Sequence, residues 1–382
     1  MGCSLIYTGI ICGSIIFLIS DTKIFLRKFF GIMVFFFFII IIWFFINQSN
    51  LLNMFLLYEF FLLPSFYIVY KLSPNRRSLI ASIYFLTWTQ FGSLLVLAAL
   101  IKSFYLYGSL SSYNLYNIDS VIIFWLMFIG FGIKIPMWPF YYWLTKTHVE
   151  ASSFFSMYLS GFLVKTAVYL FSKFYGIIIS QEYINLFLVF LFVGAIDSSI
   201  KMWHQTDLKK LIAYTTVQEM NLLCIPILWN DSFGEIITSF FIATHCILSC
   251  IFFFYIDIIT KRFGTRATSQ ITGLVHTMPF FSFLIFISWV FFSGLPFTIK
   301  FLLEIGIFSI LMSFNLGFFI FFLLVLNVIG LIGFTKNIFN TLFGAHIINE
   351  YIVYDLTKKE IFIYIILLIN LIFLNIITLI IL

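Results

Sequence analysis

The feature that most constrains this chain is a run of fifteen consecutive apolar residues at positions 32–46, IMVFFFFIIIIWFFI. Similar stretches recur along the 382 residues, of which 63% are hydrophobic and only 9% charged. Soluble domains carry about 25% charged residues, whereas stretches of this length and apolarity are typical of transmembrane helices. The sequence lacks the apolar–polar alternation of a membrane β-barrel. It therefore predicts an all-α polytopic membrane protein.

Apolar stretches separated by short polar loops predict twelve transmembrane spans. The first stretch lacks the basic N-terminal region and small-residue cleavage site of a signal peptide, so we expect it to remain as a span. No linker exceeds about twenty-five residues, so we expect a single membrane domain without a soluble one. The predicted spans are 4–20, 30–47, 50–70, 78–101, 120–145, 153–173, 183–202, 209–229, 236–258, 270–311, 315–335 and 360–381.

Two of these spans, 120–145 and 270–311, are longer than one straight membrane helix requires. The first is interrupted at Pro136 and Pro139, and the second at Pro296. Paired broken helices in two halves of a membrane protein are typical of transporters built from inverted repeats. We expect two inverted five-helix repeats, at 30–173 and 183–335, followed by a C-terminal helix at 360–382.

The basic residues of the loops support this topology. Of 21 lysines and arginines, 16 lie in or beside the loops after odd-numbered spans, and only Lys102 and Lys173 lie beside the others. The positive-inside rule places basic loops on the inner face of the membrane, so both termini are expected on the outer face. Because topology explains the net charge of +6, no nucleic-acid partner is predicted.

Lys134 lies inside an apolar span, two residues before Pro136. A lysine at membrane depth costs about 2.5–3.5 kcal/mol on insertion scales, and such residues are usually functional. Proline has no N–H, so Pro136 deprives the carbonyl of Gly132 of its helical partner. The combination predicts a functional charge beside a break in the helix.

Further ionisable residues lie inside predicted spans, where an unpaired charge would cost several kcal/mol. Acidic and basic groups in such positions can pair, and a close pair exchanges protons when a neighbouring charge moves. We predict a proton relay made by Lys134 together with Glu59, Lys165, Glu219, His245 and Glu304.

Simpler structural roles are alternatives for several residues. A buried lysine–glutamate pair can merely fix the register of two helices, and His245 could be a packing histidine. The role of Glu219 is open on the sequence alone. Lys300, near the second break, could extend to water. Asp207, in the segment HQTDLKK, marks either a solvated helix start or a proton entry point.

The five cysteines contain no CxxC pair, which argues against an iron–sulfur cluster and a disulfide framework. Cys246 and Cys250 are four residues apart and share a helix face, and packing is their expected role. Flavin and quinone motifs are also absent from the sequence. We therefore expect no cofactor in this chain.

Several motifs resemble those of one family, the antiporter-like membrane subunits of respiratory complex I (NADH:ubiquinone oxidoreductase). GIKIPMWPFYYWLTKTHVEA resembles the family's VKMP and WLPKAHVEAP motifs, and Lys165 follows Lys134 by the family's interval of 31 positions. HQTDLKKLIAYTTVQEM resembles RQTDLK-LIAYSS-V-HM, and SGLPFTIKFLLEI resembles LPPTINLLGEL. The resemblance covers about residues 50–335. The VEA after the histidine and the glutamate at Glu304 favour the chain 4 branch of the family.

The resemblance implies a role for most of the predicted relay. Glu59 and Lys134 would form a fluctuating ion pair, and Lys165 would be the central relay residue. His245 would continue the hydrophilic axis, and Glu304 would be the terminal carboxylate. Asp207 and Lys209 also match family positions.

The resemblance also implies a cellular setting. The chain would lie in the mitochondrial inner membrane with both termini on the intermembrane-space side, among lipids, accessory subunits and other membrane-arm subunits. NADH, FMN, iron–sulfur clusters and ubiquinone would be bound by partner subunits. Because the resemblance begins at the family's third helix, the first two family helices are expected to be absent or supplied by another chain.

Four of the departures from the family motifs replace a histidine or a proline. Glu219 and Tyr141 each replace a histidine, and Thr145 and Ser152 each replace a proline. The change at Glu219 either keeps a proton-binding group with a different pKa or alters the route that protons take. The geometry after the first break is therefore not predicted.

Two other classes of function remain on the sequence alone. A subunit of a multisubunit Na⁺/H⁺ antiporter would share the lysines and the broken helices. A structural scaffold would use the buried ion pairs for assembly only.

Overall fold

The computed structural model describes residues 1–19, 39–72, 76–110, 120–174, 181–229, 231–345 and 354–381. Within these ranges the chain is almost entirely helical, with an isolated β-bridge between Asp207 and Ala267. In lipid, backbone polar groups must be satisfied inside the segment, which favours helices. The prediction of an all-α polytopic membrane protein is confirmed.

The α-helices are numbered in chain order. They are α1 (Gly2–Ile19), α2 (including 39–46), α3 (Leu51–Leu72), α4 (Arg76–Tyr107), α5 (Val121–Lys134), α6 (Tyr142–Glu150), α7 (Ser153–Tyr158), α8 (Val164–Phe174), α9 (Gln181–Trp203), α10 (Leu208–Cys224), α11 (Ser232–Phe263), α12 (Leu274–Thr277), α13 (Pro279–Phe292), α14 (Ile299–Ser313), α15 (Gly317–Phe343) and α16 (Lys358–Ile381). A π-helical turn (Leu159–Leu163) joins α7 to α8, and a 3₁₀ turn (Pro226–Trp229) follows α10.

Eight helical segments in the described part of the chain are long and apolar enough to cross a membrane. Shorter apolar stretches are contributed by α1, α5 and α13. Each of them overlaps a predicted span, although α4, α11 and α15 extend several residues beyond the predicted bounds. The part of predicted span 30–47 before residue 39 lies outside the described residues. The division into inverted repeats stays a prediction.

Three of the membrane-spanning segments are enclosed by the others. In the most apolar stretch of the segment Ser153–Phe174, 94% of the residues are buried. The corresponding shares of buried residues are 94% for Leu208–Leu228 and 83% for Ser232–Phe263. For the remaining five segments the values are 39–44%. Half-exposed apolar faces on the outer helices are what contact with lipid requires. The bundle therefore has three inner segments surrounded by lipid-facing helices.

The first predicted break is present, and α5 ends just before Pro136. The carbonyl of Gly132 accepts instead from the N–H of Met137, with the N and O atoms 2.8 Å apart. The indole Nε1 of Trp143 donates to the carbonyl of Ile133, also at 2.8 Å. The break is therefore stable in apolar surroundings because the freed carbonyls have other donors.

The second break separates α13 from α14. Two residues there have positive φ angles, Gly294 at 68° and Phe297 at 71°. The carbonyl of Phe297 accepts from Nδ2 of Asn375 on α16 at 3.0 Å. A Cβ on residue 294 would lie 3.3 Å from Oε2 of Glu304, so glycine suits both the backbone angle and the close carboxylate.

Candidate functional site: buried acid–base pairs

The first acid–base pair joins α3 to α5. Nζ of Lys134 lies 3.1 Å from Oε1 of Glu59, so the predicted pairing is present. The hydroxyl of Ser93 on α4 donates to Oε1 of Glu59 at 2.6 Å and accepts from Nζ of Lys134 at 2.7 Å. The lysine side chain is fully buried, and that of Glu59 is 22% exposed. The carboxylate and the hydroxyl thus compensate a charge that would be costly alone.

Two glycines bring the partners of this pair together. A Cβ on Gly92 would lie 3.0 Å from the carbonyl oxygen of Gly130, and a Cβ on Gly130 would lie 2.7 Å from Cγ2 of Val96. Small residues let membrane helices approach to backbone contact. Because Ser93 follows Gly92 and Lys134 lies one turn after Gly130, this close approach of α4 and α5 places the hydroxyl beside the ammonium.

The second pair joins α8 to α11. Nζ of Lys165 lies 2.6 Å from Nδ1 of His245 and also donates to the carbonyl of Ser160. Both side chains are buried. Ser160 lies in the π-helical turn, where the hydrogen-bond register of the α-helix is interrupted, and its hydroxyl is 3.0 Å from Oγ1 of Thr216 on α10. When Lys165 is an ammonium, Nδ1 of His245 is unprotonated and can accept its proton.

The third pair joins α10 to α14. Nζ of Lys300 lies 2.6 Å from Oε1 of Glu219, and both residues are buried. The ammonium also lies 4.1 Å from the ring centroid of Phe292. Lys300 therefore does not extend to water, and Glu219, whose role was open on the sequence, has a charged partner.

Glu304 lies four residues after Lys300 on α14. Its Oε2 accepts from Nδ2 of Asn327 on α15 at 3.0 Å. A cavity of about 20 Å³ is lined by both of these side chains and by Lys300 and Gln218. This volume admits about one water molecule, and the polar lining offers it several hydrogen-bond partners.

The acidic and basic groups are distributed over several helices, and three of them lie on the inner segments. Lys165, Glu219 and His245 belong to the three segments that are most enclosed. Every predicted relay residue thus contacts at least one other polar side chain. The arrangement can hold charge out of contact with lipid and can shift protons between neighbouring acids and bases.

Other polar residues of the family motifs are not members of these pairs. Asp207 caps α10 by accepting from the N–H of Lys209 at 2.8 Å, and it forms an ion pair with Arg266 at 2.8 Å. Nζ of Lys209 donates to the carbonyl of Ala151 at 2.6 Å. His148 is buried, and its ring stacks on Phe253 with centroids 4.9 Å apart. Asp207 and Lys209 thus secure loops between helices.

The sequence did not reveal a second polar cluster near the first break. The hydroxyl of Tyr141 donates to Oδ2 of Asp197 and accepts from Nζ of Lys201, and the two charged groups are 2.8 Å apart. Asp197 and Lys201 are four residues apart on α9, which was the available signal for an ion pair. Tyr141, which departs from the family motif, is thus held by two charges.

Three buried thiols meet where α1, α11 and the π-helical turn pack together. The Sγ atom of Cys12 lies 3.4 Å from that of Cys246 and 3.7 Å from that of Cys250. A Cβ on Gly161, in the π-helical turn, would be 2.5 Å from Sγ of Cys12. The glycine therefore provides the space that the thiols occupy.

The fold and these pairs define an antiporter-like membrane protein, in which broken helices surround lysines paired with acids or histidine. Comparison with protein families gives the same result. The family "NADH:quinone oxidoreductase/Mrp antiporter, TM" matches residues 48–330, and the chain belongs to this family.

One relative is NADH-ubiquinone oxidoreductase chain 4 of Paramecium tetraurelia, 40% identical over 354 residues that cover 90% of this chain and 74% of the relative. A chain of respiratory complex I from Thermus thermophilus with bound NADH superposes with a TM-score of 0.78 at 19% identity, covering 98% of this chain and 79% of that chain. For a chain of the Mrp complex from Dietzia sp. DQ12-45-1b the TM-score is 0.73 at 18% identity, covering 79% and 58%. The resemblance to complex I chain 4 is confirmed. The Thermus thermophilus and Dietzia chains both share the fold of this chain.

Proposed function

We propose that this chain translocates protons along its buried acid–base pairs as the chain 4 subunit in the membrane arm of respiratory complex I. The observation that carries the proposal is the series of pairs Glu59–Lys134, Lys165–His245 and Glu219–Lys300, followed by Glu304. The chain is a multi-pass protein of the mitochondrial inner membrane. Its sequence relatives include chain 4 of this complex, and its fold is that of complex I membrane subunits.

Breaking one pair is the elementary step. If Glu59 takes up a proton, Lys134 loses its counter-charge, and a lone ammonium in apolar surroundings is driven to release a proton. Ser93, bonded to both groups, keeps them aligned for re-pairing. Further along, Lys165 passes a proton to Nδ1 of His245, since 2.6 Å is within range for direct transfer.

The free energy needed to move one proton across the membrane is similar to the free energy at stake in one buried ion pair. Moving one proton against the membrane potential costs about 2.3 kcal/mol per 100 mV. Removing one partner of a buried ion pair costs about 3–5 kcal/mol. One opened pair therefore stores enough free energy to drive one proton against a typical potential.

The redox chemistry belongs, in this proposal, to partner subunits that bind NADH, FMN, iron–sulfur clusters and ubiquinone. Neighbouring membrane-arm subunits transmit the resulting change of charge to Glu59, the partly exposed member of the first pair. The basic loops face the matrix, and both termini face the intermembrane space.

The test is Lys134→Met in the assembled complex, reconstituted into vesicles, with NADH oxidation and proton uptake measured together. Methionine fills the space of the lysine stem without its charge, so we expect assembly to persist and proton-coupled turnover to fall about 100-fold. Lys146→Met is the matched control, because Lys146 packs over the Tyr84 ring at 3.8 Å and is partly exposed. If the assembled Lys134 variant keeps both its native turnover and its native number of protons pumped per electron, the proposal is refuted.

A Na⁺/H⁺ antiporter subunit is the second candidate, favoured by the structural likeness to the Mrp chain. It predicts sodium-dependent proton exchange by vesicles that contain the chain without the NADH-oxidising subunits. A scaffold role predicts that Lys134→Met and Lys165→Met impair assembly and leave the turnover of each assembled complex unchanged. Co-purification of the chain with NADH dehydrogenase activity separates the first proposal from the antiporter.

A further inference from the structure

The third pair, Glu219–Lys300, combines two departures from the family motifs. The family's RQTDLK-LIAYSS-V-HM motif has a histidine where Glu219 stands, and LPPTINLLGEL has an asparagine where Lys300 stands. The residues are 81 positions apart in the chain, yet their charged atoms are 2.6 Å apart and both are buried. Either change alone would leave a buried charge without its partner, and together they form an ion pair.

This pair interacts with three other members of the series. Electrostatic interactions link Glu219 to Lys165, Lys300 to His245, and both members of the pair to Glu304. Lys300 also shares the cavity of about 20 Å³ with Glu304, Gln218 and Asn327. A single water there would connect the ammonium to the carboxylate of Glu304.

We propose that Glu219 and Lys300 form a proton-carrying station that delivers protons to Glu304. This inference rests on the proposed function, since it concerns one step of the same proton path. A proton that reaches the Glu219 carboxylate makes it a neutral acid and leaves Lys300 as an uncompensated ammonium. The ammonium gives one proton through the cavity water to the Glu304 carboxylate. The neutral amine then takes the proton from Glu219, which restores the ion pair, so one proton has moved to Glu304.

Two double variants of the assembled complex in vesicles test this station. Glu219→Gln with Lys300→Met removes both charges and keeps similar volumes, so the helices can pack without an unpaired charge. Glu219→His with Lys300→Asn installs the family's residues and restores a titratable group. We expect the first double variant to lose about tenfold in proton-coupled turnover and the second to stay within about twofold of the native complex.

The pH profile gives a second readout. The histidine variant should reach its maximal turnover at a different pH from the native complex, because imidazole titrates in another range than a carboxylate–ammonium pair. The ionisable groups around the pair, Lys165, His245 and Glu304, are unchanged in both variants. A purely structural pair predicts native turnover and a native pH profile for both double variants, and that result would overturn the station.

If the neutral double variant does not assemble, the histidine variant decides. Native-like turnover with a shifted pH profile supports the station, and either a native profile or a tenfold loss overturns it. Lys134→Met, measured in the same preparation, separates the two proposals. If the Lys134 variant pumps normally, the whole relay proposal is refuted. If it is inactive while the neutral double variant pumps normally, only the proposal of the Glu219–Lys300 station is refuted.

Discussion

Lys165 contacts two acceptors of very different basicity: its Nζ lies 2.6 Å from Nδ1 of His245 and donates also to the carbonyl of Ser160. A backbone carbonyl accepts a hydrogen bond but does not take the proton, whereas a neutral imidazole does both. The carbonyl therefore holds the lysine in place, and the histidine is the group to which the proton can leave.

The first prediction concerns this imidazole. His245→Asn keeps a polar side chain that can bond to Lys165 but cannot take up its proton, so we expect coupled turnover to fall about 100-fold while assembly is retained. NADH-driven proton uptake by vesicles is the measurement. His204→Asn, at an exposed histidine, is the control and should be neutral. Normal pumping by the His245 variant would make it a packing histidine.

The second prediction concerns the close approach of α4 and α5. Gly130→Ala places a methyl group 2.7 Å from Cγ2 of Val96, so the helices must separate and Ser93 moves away from Lys134. We expect a destabilisation of about 1–3 kcal/mol and lower turnover in the complexes that assemble. Thermal unfolding and turnover are the measurements. Gly317→Ala is the matched control, because a Cβ there meets nothing within 4 Å.

The third prediction concerns the end of the series. Glu304→Gln keeps a partner for Asn327 but removes the carboxylate that receives the proton, so turnover should fall about tenfold or more without loss of assembly. The control is Glu235→Gln, an exposed glutamate in the first turn of α11. Native turnover by the Glu304 variant, equal to that of the Glu235 variant, would remove Glu304 from the path.

The fourth prediction separates the Tyr141 cluster from the relay. Tyr141→Phe deletes the hydroxyl between Asp197 and Lys201, which still pair at 2.8 Å. The loss of these hydrogen bonds should cost about 1 kcal/mol of stability, seen as a lower melting temperature, with turnover almost unchanged. A large loss of pumping at native stability would instead place Tyr141 in the proton path.

The fifth prediction concerns the space around the three thiols. Gly161→Ala places a Cβ 2.5 Å from Sγ of Cys12, so the π-helical turn must shift and the Ser160 carbonyl moves relative to Lys165. We expect reduced turnover and stability. Adding Cys12→Ala removes the clashing atom and should restore most of both, whereas Cys12→Ala alone costs about 1 kcal/mol for a small cavity. If adding Cys12→Ala does not restore turnover and stability, the contact with the Cys12 thiol is not the cause of their loss.

Much of the fold followed from single-residue properties. Proline placed the first break, because a missing N–H is a local fact, and membrane insertion energies identified Lys134 and Lys165 without any structure. A buried lysine requires a compensating acid, and the family resemblance identified Glu59 as that partner of Lys134.

Partners on distant helices were harder to predict. Lys300 and Glu219 are 81 residues apart, and whether a lysine near a break extends to water or inward depends on helix packing. Sequence spacing suggested the helix face shared by Cys246 and Cys250, but nothing indicated that Cys12 of the first helix would join them. These contacts come from the tertiary arrangement alone.

The enclosure of the three inner segments has an electrical consequence. In their most apolar stretches 83–94% of the residues are buried, so the other helices separate Lys165, His245 and Glu219 from the outer surface of the bundle. A charge on these side chains has no sideways exit into water, since apolar surroundings oppose ions strongly. In the proposed relay, a proton bound to these side chains can therefore pass only to a neighbouring acid or base, so the enclosure would prevent proton leakage through the side of the bundle at mid-depth.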